Sequence, residues 1–461
     1  MAVTVILARR LGAESFGLFV FVQWLIDMTF LVNSVGLPGV ATRFFPRSAG
    51  NGADPLPGFN RWFLRAGALV VLLASCFAAL SFLAFSDVGH MTPVAAVTFW
   101  AATHSIWTLL GARALGLFQF KRFAASAAMF TIVALVGLAL PRLGGDLFGA
   151  MLVVAVANLA AAACCAMSLV NGGRTPLNEP LAKAHSELIR PYATNVWLTS
   201  IATSLVWGRA EISLVKGQLG ETAVGYYSVG LTLSGIINQG ISLLTGALWP
   251  QIARAWDNGD RDELLRFCSI VTNLLMLVAG VSVGFVICFA PYIIALLFGE
   301  GFLQSSKLVV ILALGTLGLT CGCAHLVIQA ATNGKFSRDV NFAGGVALFG
   351  AAFALIPRFG IEGAAAARSA IQIGVAVLTL AWLGNVLGHS AGTRQTFRSF
   401  VLLVTLAGSL AVLLSVGPEL PIWGLFVLFA VYCCFVCLIC SHIWESGMLR
   451  ELRKLSGAGD A

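Results

Sequence analysis

Residues 140–146 read LPRLGGD and residues 356–362 read IPRFGIE. Each stretch writes Pro-Arg-apolar-Gly-x-acid between two long apolar runs. Proline cannot continue a helix and glycine turns the chain at little cost, so both stretches are expected as short turns between helices. Pro141 and Pro357 stand 216 residues apart, and two further echoes keep nearly the same interval. Residues 11–19 (LGAESFGLF) return at 219–227 as LGETAVGYY, an offset of 208, and residues 116–119 (GLFQ) return at 334–337 as GKFS, an offset of 218. Three matches in one order at similar spacing read as two related halves.

The apolar runs on either side set the solvent. Hydrophobic residues make up 59% and charged residues 10% of the 461, against roughly 25% charged in a soluble domain. So few charges cannot cover a surface that faces water. Lipid is therefore the solvent, and each apolar run of about 20 residues is a candidate membrane span. Spans are expected at 16–42, 62–85, 91–112, 123–140, 147–170, 192–215, 223–250, 267–298, 308–331, 340–356, 361–386, 399–416 and 421–442. Residues 1–8 read as the tail of another span, so the expectation is an all-α polytopic membrane protein of 13–14 helices, with the first incomplete. No segment has the layout of a cleaved signal peptide.

Charge orients the spans. Twenty of the 28 Lys and Arg residues fall in one set of alternate loops, among them Arg43, Arg61, Arg113, Arg190, Arg266, Arg394 and Lys454. Six fall in the other: Arg9, Arg10, Arg142, Lys216, Lys307 and Arg358. The positive-inside rule puts the first set, the central linker and the C-terminus in the cytoplasm. Fixing topology accounts for these charges, so the net +8 is no sign of a nucleic-acid partner. Each half holds six spans, an even number, so both enter from the same side as parallel repeats about an axis along the membrane normal.

The expected domains follow: an N-terminal lobe over 1–170 (helices 1–6), a cytoplasmic linker over 171–190, a C-terminal lobe over 191–388 (helices 7–12), and accessory helices 13–14 with a cytoplasmic tail over 389–461. The repeat also measures a deficit. Span 192–215 precedes LGETAVG by a full helix, whereas only about ten residues precede LGAESFG. Eight apolar residues at 1.5 Å each cannot cross about 30 Å of hydrocarbon, so roughly twenty more residues are expected ahead of Met1.

No enzyme site stands out. The outer loops, such as SDVGHMT and GPELP, are too short for the acid- or His-bearing loops of a membrane sugar polymerase or ligase, and no G-x-x-x-x-G-K-[ST] phosphate loop is present. All eleven cysteines lie in or beside apolar runs. The spacing Cys434-x-x-Cys437-x-x-Cys440 falls in one continuous run, with no loop to fold round an ion, and reads as helix packing. No metal or cofactor is expected.

Four stretches carry a family resemblance: ARRLGAESFGLF (8–19), ARALGLFQFKRF (112–123), GRAEISLVKGQLGETAVGYYSVG (208–230) and LIPRFGIEGAAAARSA (355–370). In order and spacing they resemble bacterial polysaccharide-biosynthesis flippases, the oligosaccharide-lipid branch of the multidrug/oligosaccharidyl-lipid/polysaccharide exporter superfamily. Departures are the short start of helix one and Glu211, where Asp is commoner in the family. The resemblance implies two six-helix lobes around a cavity that opens alternately to each side of the bacterial inner membrane. The implied substrate is a polyprenyl-diphosphate-linked oligosaccharide for surface or exopolysaccharide assembly, with a polysaccharide polymerase and other assembly proteins as partners. A drug or cation antiporter of the same superfamily, a flippase for the lipid-linked peptidoglycan precursor and a membrane glycosyl-transfer enzyme stand as alternatives.

Four ionisable residues inside the spans are the candidate transport site. Asp27 sits near the middle of its span, where a carboxylate costs about 2.5–3.5 kcal/mol by insertion scales, and Gln23 and Ser34 share its face. It is either a protonated acid bonded to a neighbouring helix or a cavity carboxylate titrating with a coupling ion. Its repeat counterpart, Gly235, is uncharged. Arg209 and Glu211 are two apart, so on one helix they face nearly opposite ways. Glu211 would follow Ser200, Ser204 and Trp207 along a stripe, and Arg209 could snorkel outward. Arg368 lies on a face continued by Gln372 and Thr379, and is either a structural tie to a carbonyl or to Glu362, or a cavity cation. Given the implied substrate, Arg368 first and Arg209 second are the cations expected to meet its diphosphate, since the planar fork of Arg binds phosphate oxygens bidentately. Asp146 and Glu362 read as helix caps, His104 and His325 as packed on apolar faces, and Asn333-Gly334 as a turn.

Overall fold

The computed structural model describes residues 1–48, 59–85, 91–140, 145–171, 183–257, 259, 261–332, 335–387, 391–417 and 420–440. Pro141–Gly144 of the first quoted turn, linker residues 172–182, Asn333-Gly334 and the tail 441–461 lie outside these residues. The described residues form helices α1 (Ala2–Asn33), α2 (Leu37–Ser48), α3 (Phe59–Phe85), α4 (Met91–Gly116), α5 (Phe120–Ala139), α6 (Leu147–Asn171), α7 (Lys183–Trp207), α8 (Ile212–Leu219), α9 (Glu221–Asp257), α10 (Arg261–Leu297), α11 (Ser305–Thr316), α12 (Gly322–Thr332), α13 (Lys335–Leu387), α14 (Ala391–Val416) and α15 (Ile422–Ile439). Short 3₁₀ turns cover Glu300–Phe302 and Leu317–Cys321. Every described segment is helix or turn, as a chain spanning lipid requires when backbone groups must be satisfied internally. Among the described residues, ten helical segments are long and apolar enough to cross a membrane, one of them α11 and α12 taken together over Ser305–Thr332. Another, α13, contains two expected spans joined end to end. The chain is thus an all-helical polytopic membrane protein.

Breaks within the apolar runs are the main difference from the sequence reading. Expected span 16–42 stops at Asn33, because Val35 (φ 44°) and Gly36 (φ 74°) leave the right-handed region and α2 starts afresh at Leu37. The end is held by Trp197, whose indole N–H donates to the carbonyls of Leu31 and Val32, each at 3.1 Å. Those are last-turn carbonyls with no partner of their own in the helix. Expected span 192–215 breaks after Trp207 and resumes at Ile212, and 308–331 is divided by the turn Leu317–Cys321. In the second quoted turn, Gly360 (φ 59°, ψ −140°) divides α13 where the proline-glycine pattern predicted.

The chain divides into two compact units, Met1–Ser204 with Gly220–Gly225, and Leu205–Leu219 with Tyr226–Ala461. In unit 1, Trp100 of α4 stacks on Phe19 of α1, with ring centroids 5.0 Å apart. Phe44, Phe45, Phe59 and Phe63 fill the space beneath α2. The repeated motif also meets itself within this unit. Gly12 (φ 71°) and Gly220 (φ 83°), 208 residues apart, both take the left-handed conformation that ends one helix and starts the next. Five residues on, a Cβ on Gly17 would overlap the carbonyl of Glu221, and a Cβ on Gly225 would overlap the carbonyl of Ala13. The two backbones cross in contact there, and the crossing is reciprocal: 13 pairs with 225 as 221 pairs with 17.

In unit 2, α14 and α15 pack on α10. The Tyr432 hydroxyl donates to the Gly280 carbonyl (3.1 Å), the rings of Phe289 and Phe426 meet at 4.9 Å, and the hydroxyls of Ser269 and Thr396 lie 3.1 Å apart. Helix α10, at 37 residues, reaches about 55 Å at 1.5 Å per residue and so outlasts the hydrocarbon.

Candidate functional site

The break at Gly208–Glu211 leaves the last carbonyls of α7 without helical partners. Arg368, just beyond the Gly360 kink of α13, supplies them. Its Nη1 donates to the Gly208 carbonyl and to Glu211 Oε1, both at 2.6 Å, and Nη2 donates to the Trp207 carbonyl at 3.2 Å. One turn on, Gln372 Nε2 reaches the Val206 carbonyl at 3.4 Å. A cation against the carbonyl end of a helix is where the helix dipole favours it. The Tyr227 hydroxyl of α9 donates to Glu211 Oε1 at 2.9 Å, while Glu211 Oε2 is buried with no hydrogen-bond partner. The Trp207 indole donates to Asn341 Oδ1 at 2.9 Å, and Asn341 in turn donates to the Ser337 carbonyl at 2.8 Å. The Arg368 and Glu211 side chains are 5% and 0% exposed, so this is a buried ion pair with its remaining bonds made mostly to backbone.

Two of the singled-out residues therefore come together, in a way the sequence reading did not place. The stripe linking Glu211 to Ser200, Ser204 and Trp207 does not exist, because the helix ends at Trp207. Arg209 and Glu211 lie on a bend rather than on one helix. Of the ties expected for Arg368, the carbonyl tie is made and the acid is Glu211 rather than Glu362. Arg209 sits half-buried in the same bend.

Asp27 lies in unit 1. Its Oδ1 is 3.3 Å from His104 Nε2 of α4, with the two side chains 45% and 23% exposed. His104 also sets its ring edge against Phe30, with centroids 5.9 Å apart. The expectation that His104 only packs on an apolar face is thus corrected: an acid partner 77 residues away has no local signature. His325 likewise has a polar partner, Ser337 Oγ at 2.7 Å from Nε2. Asp146 Oδ1 accepts from the Gly149 N–H at 3.2 Å, as a cap of α6 should. Sequence reasoning also missed Arg113. Counted as a loop cation, it is buried at the end of α4, with Nε donating to Asn60 Oδ1 at 3.1 Å and its guanidinium 5.3 Å from the centre of the Phe45 ring.

Solved structures of other multi-pass proteins share this fold. An inward-facing multidrug resistance MATE family transporter of the MOP superfamily matches with a TM-score of 0.64 at 14% identity, covering 87% of this chain and 94% of that one. The lipid II flippase MurJ in an inward closed conformation matches with a TM-score of 0.61 at 14% identity, over 97% of this chain and 96% of that one. The Vibrio cholerae MATE transporter VcmN in its bent form gives 0.53 at 15% identity, over 87% and 94%. At such identities the likeness is one of fold. No curated protein matches the chain. The family described as "Polysaccharide biosynthesis protein" matches residues 1–256, and the chain belongs to that family. It is a membrane protein with the fold of flippases and transporters of the MOP superfamily.

Proposed function

We propose that this protein moves a polyprenyl-diphosphate-linked oligosaccharide from the inner to the outer leaflet of the bacterial cytoplasmic membrane, by alternating access of two lobes, for surface or exopolysaccharide assembly. The family match supports the substrate class. The observation that carries the transport reading is the partly exposed Asp27–His104 pair on two membrane-spanning helices. Ionisable groups facing lipid are costly, so such a face looks onto a water-filled passage.

In this reading Arg209 meets the diphosphate, and the buried Arg368–Glu211 pair holds the bend that presents it. Asp27 is the carboxylate that titrates with a coupling ion. The test is recovery of surface polysaccharide in a strain lacking the gene, with membrane levels of each variant followed by immunoblot. Arg209→Ala should reduce polymer and Arg209→Lys should restore part of it. Full recovery by Arg209→Ala at normal expression would remove the anchor. Asp27→Asn should leave polymer output insensitive to collapse of the proton gradient, and an unchanged sensitivity would refute its coupling role. Drug efflux by a chain that yields no polymer would turn the assignment to an antiporter.

A further inference from the structure

Unit 2 holds a cavity of about 560 Å³, within the size range of small-molecule sites. Tyr226 and Phe359 line it, together with three aliphatic residues and with Gln304, Ser306, Lys307 and Glu362. These come from three places: the start of α9, the first turn of α11 with its cap, and the residues flanking the Gly360 kink. The cavity is built rather than incidental. Ser305 Oγ donates to the Tyr226 carbonyl at 3.0 Å, and Phe302 sets its ring edge-on to Tyr226 with centroids 6.0 Å apart, which fixes one aromatic wall. The other aromatic, Phe359, is 63% exposed at a turn where a polar residue would be more soluble. In the orientation expected from the loop charges, Lys307 and Arg358 mark the outer side of the membrane.

We infer that this cavity is a sugar-binding site that receives a glycosyl unit of the oligosaccharide on the outer face, an inference that rests on the flippase reading above. A sugar ring has an apolar C–H face and a rim of hydroxyls. The two rings match the face, and an amide, a hydroxyl, an ammonium and a carboxylate match the rim with both donors and acceptors. A lipid chain would cover Gln304, Lys307 and Glu362 without offering any of them a partner, the Ser306 hydroxyl being bonded to the Leu303 carbonyl at 2.7 Å. A bare phosphate would use neither ring and would be repelled by Glu362.

The experiment is saturation-transfer difference NMR on the full chain in lipid nanodiscs, with N-acetylglucosamine and glucuronate as probes. Transfer to the ring C–H protons of at least one probe is expected. It should fall roughly fivefold or more in Phe359→Ala, fall in Gln304→Ala, and persist in Phe359→Tyr. Both truncated side chains are exposed, so neither change threatens folding. Absence of transfer from the wild-type chain, or wild-type transfer in both Phe359→Ala and Gln304→Ala, overturns the inference. Polymer recovery separates the two levels. A wild-type chain that restores polymer without binding either sugar loses only this site. One that binds sugar without restoring polymer keeps the site and loses the flippase assignment.

Discussion

Glu211 is wholly withdrawn from solvent and receives one guanidinium and one hydroxyl on the same oxygen. A buried pair of this kind contributes little net stability compared with apolar replacement, because desolvation offsets the attraction, yet removing one partner strands the other. Arg368→Ala should therefore cost about 3–5 kcal/mol, read as a lowered Tm and a reduced membrane level. Arg368→Met combined with Glu211→Leu should recover most of that loss. A single Arg368→Ala with unchanged Tm would contradict the brace. Charges inside apolar runs are easy to see in a sequence, which is why Arg209, Glu211, Arg368 and Asp27 all stood out. Their partners are not. Arg368 and Glu211 are 157 residues apart, and the facing of Glu211 depends on a helix break that hydropathy does not record.

At the scale of the element, the helices themselves were legible because hydropathy accumulates over about 20 residues and tolerates local irregularity. The same averaging hides the breaks at Ser34–Gly36, Gly208–Glu211 and Leu317–Cys321, each of which sits inside a run that stays apolar on both sides. The Gly360 break was legible because proline and glycine announce it. Breaks of the hidden kind survive only where something else satisfies the freed carbonyls, as Trp197 does for α1. Trp197→Phe keeps the ring and removes the donor, leaving the Leu31 carbonyl to the Ser34 hydroxyl (3.1 Å) and taking the indole from Val32, at about 1–3 kcal/mol. The expected readout is faster hydrogen exchange over 31–40 with little change in α4. Identical exchange in wild type and variant would show that the indole is not the cap.

At the scale of the molecule, the crossing at Gly17 and Gly225 is the tightest glycine approach to backbone among the described residues. A single methyl there meets a carbonyl held in a helix rather than a side chain able to turn aside. Gly17→Ala and Gly225→Ala should each destabilise by about 1–3 kcal/mol and depress polymer output together with membrane level. Because the two sites share one contact, the double variant should cost less than the sum of the singles. Strict additivity would mean that the crossing is not one joint. By contrast, Gly235→Ala, with open space around it, should leave both readouts at wild-type values.

The reciprocity of that crossing has a historical reading. A contact in which position 13 meets 225 while 221 meets 17 is what an isologous interface gives when two identical chains associate about a dyad. An ancestor carrying one copy of LGxxxxG would have found the same partner in a second molecule of itself. Fusion of two such genes would then have turned an encounter between subunits into a fixed intramolecular joint. It would also have freed each copy to drift, so that one half could acquire Asp27 where the other has Gly235.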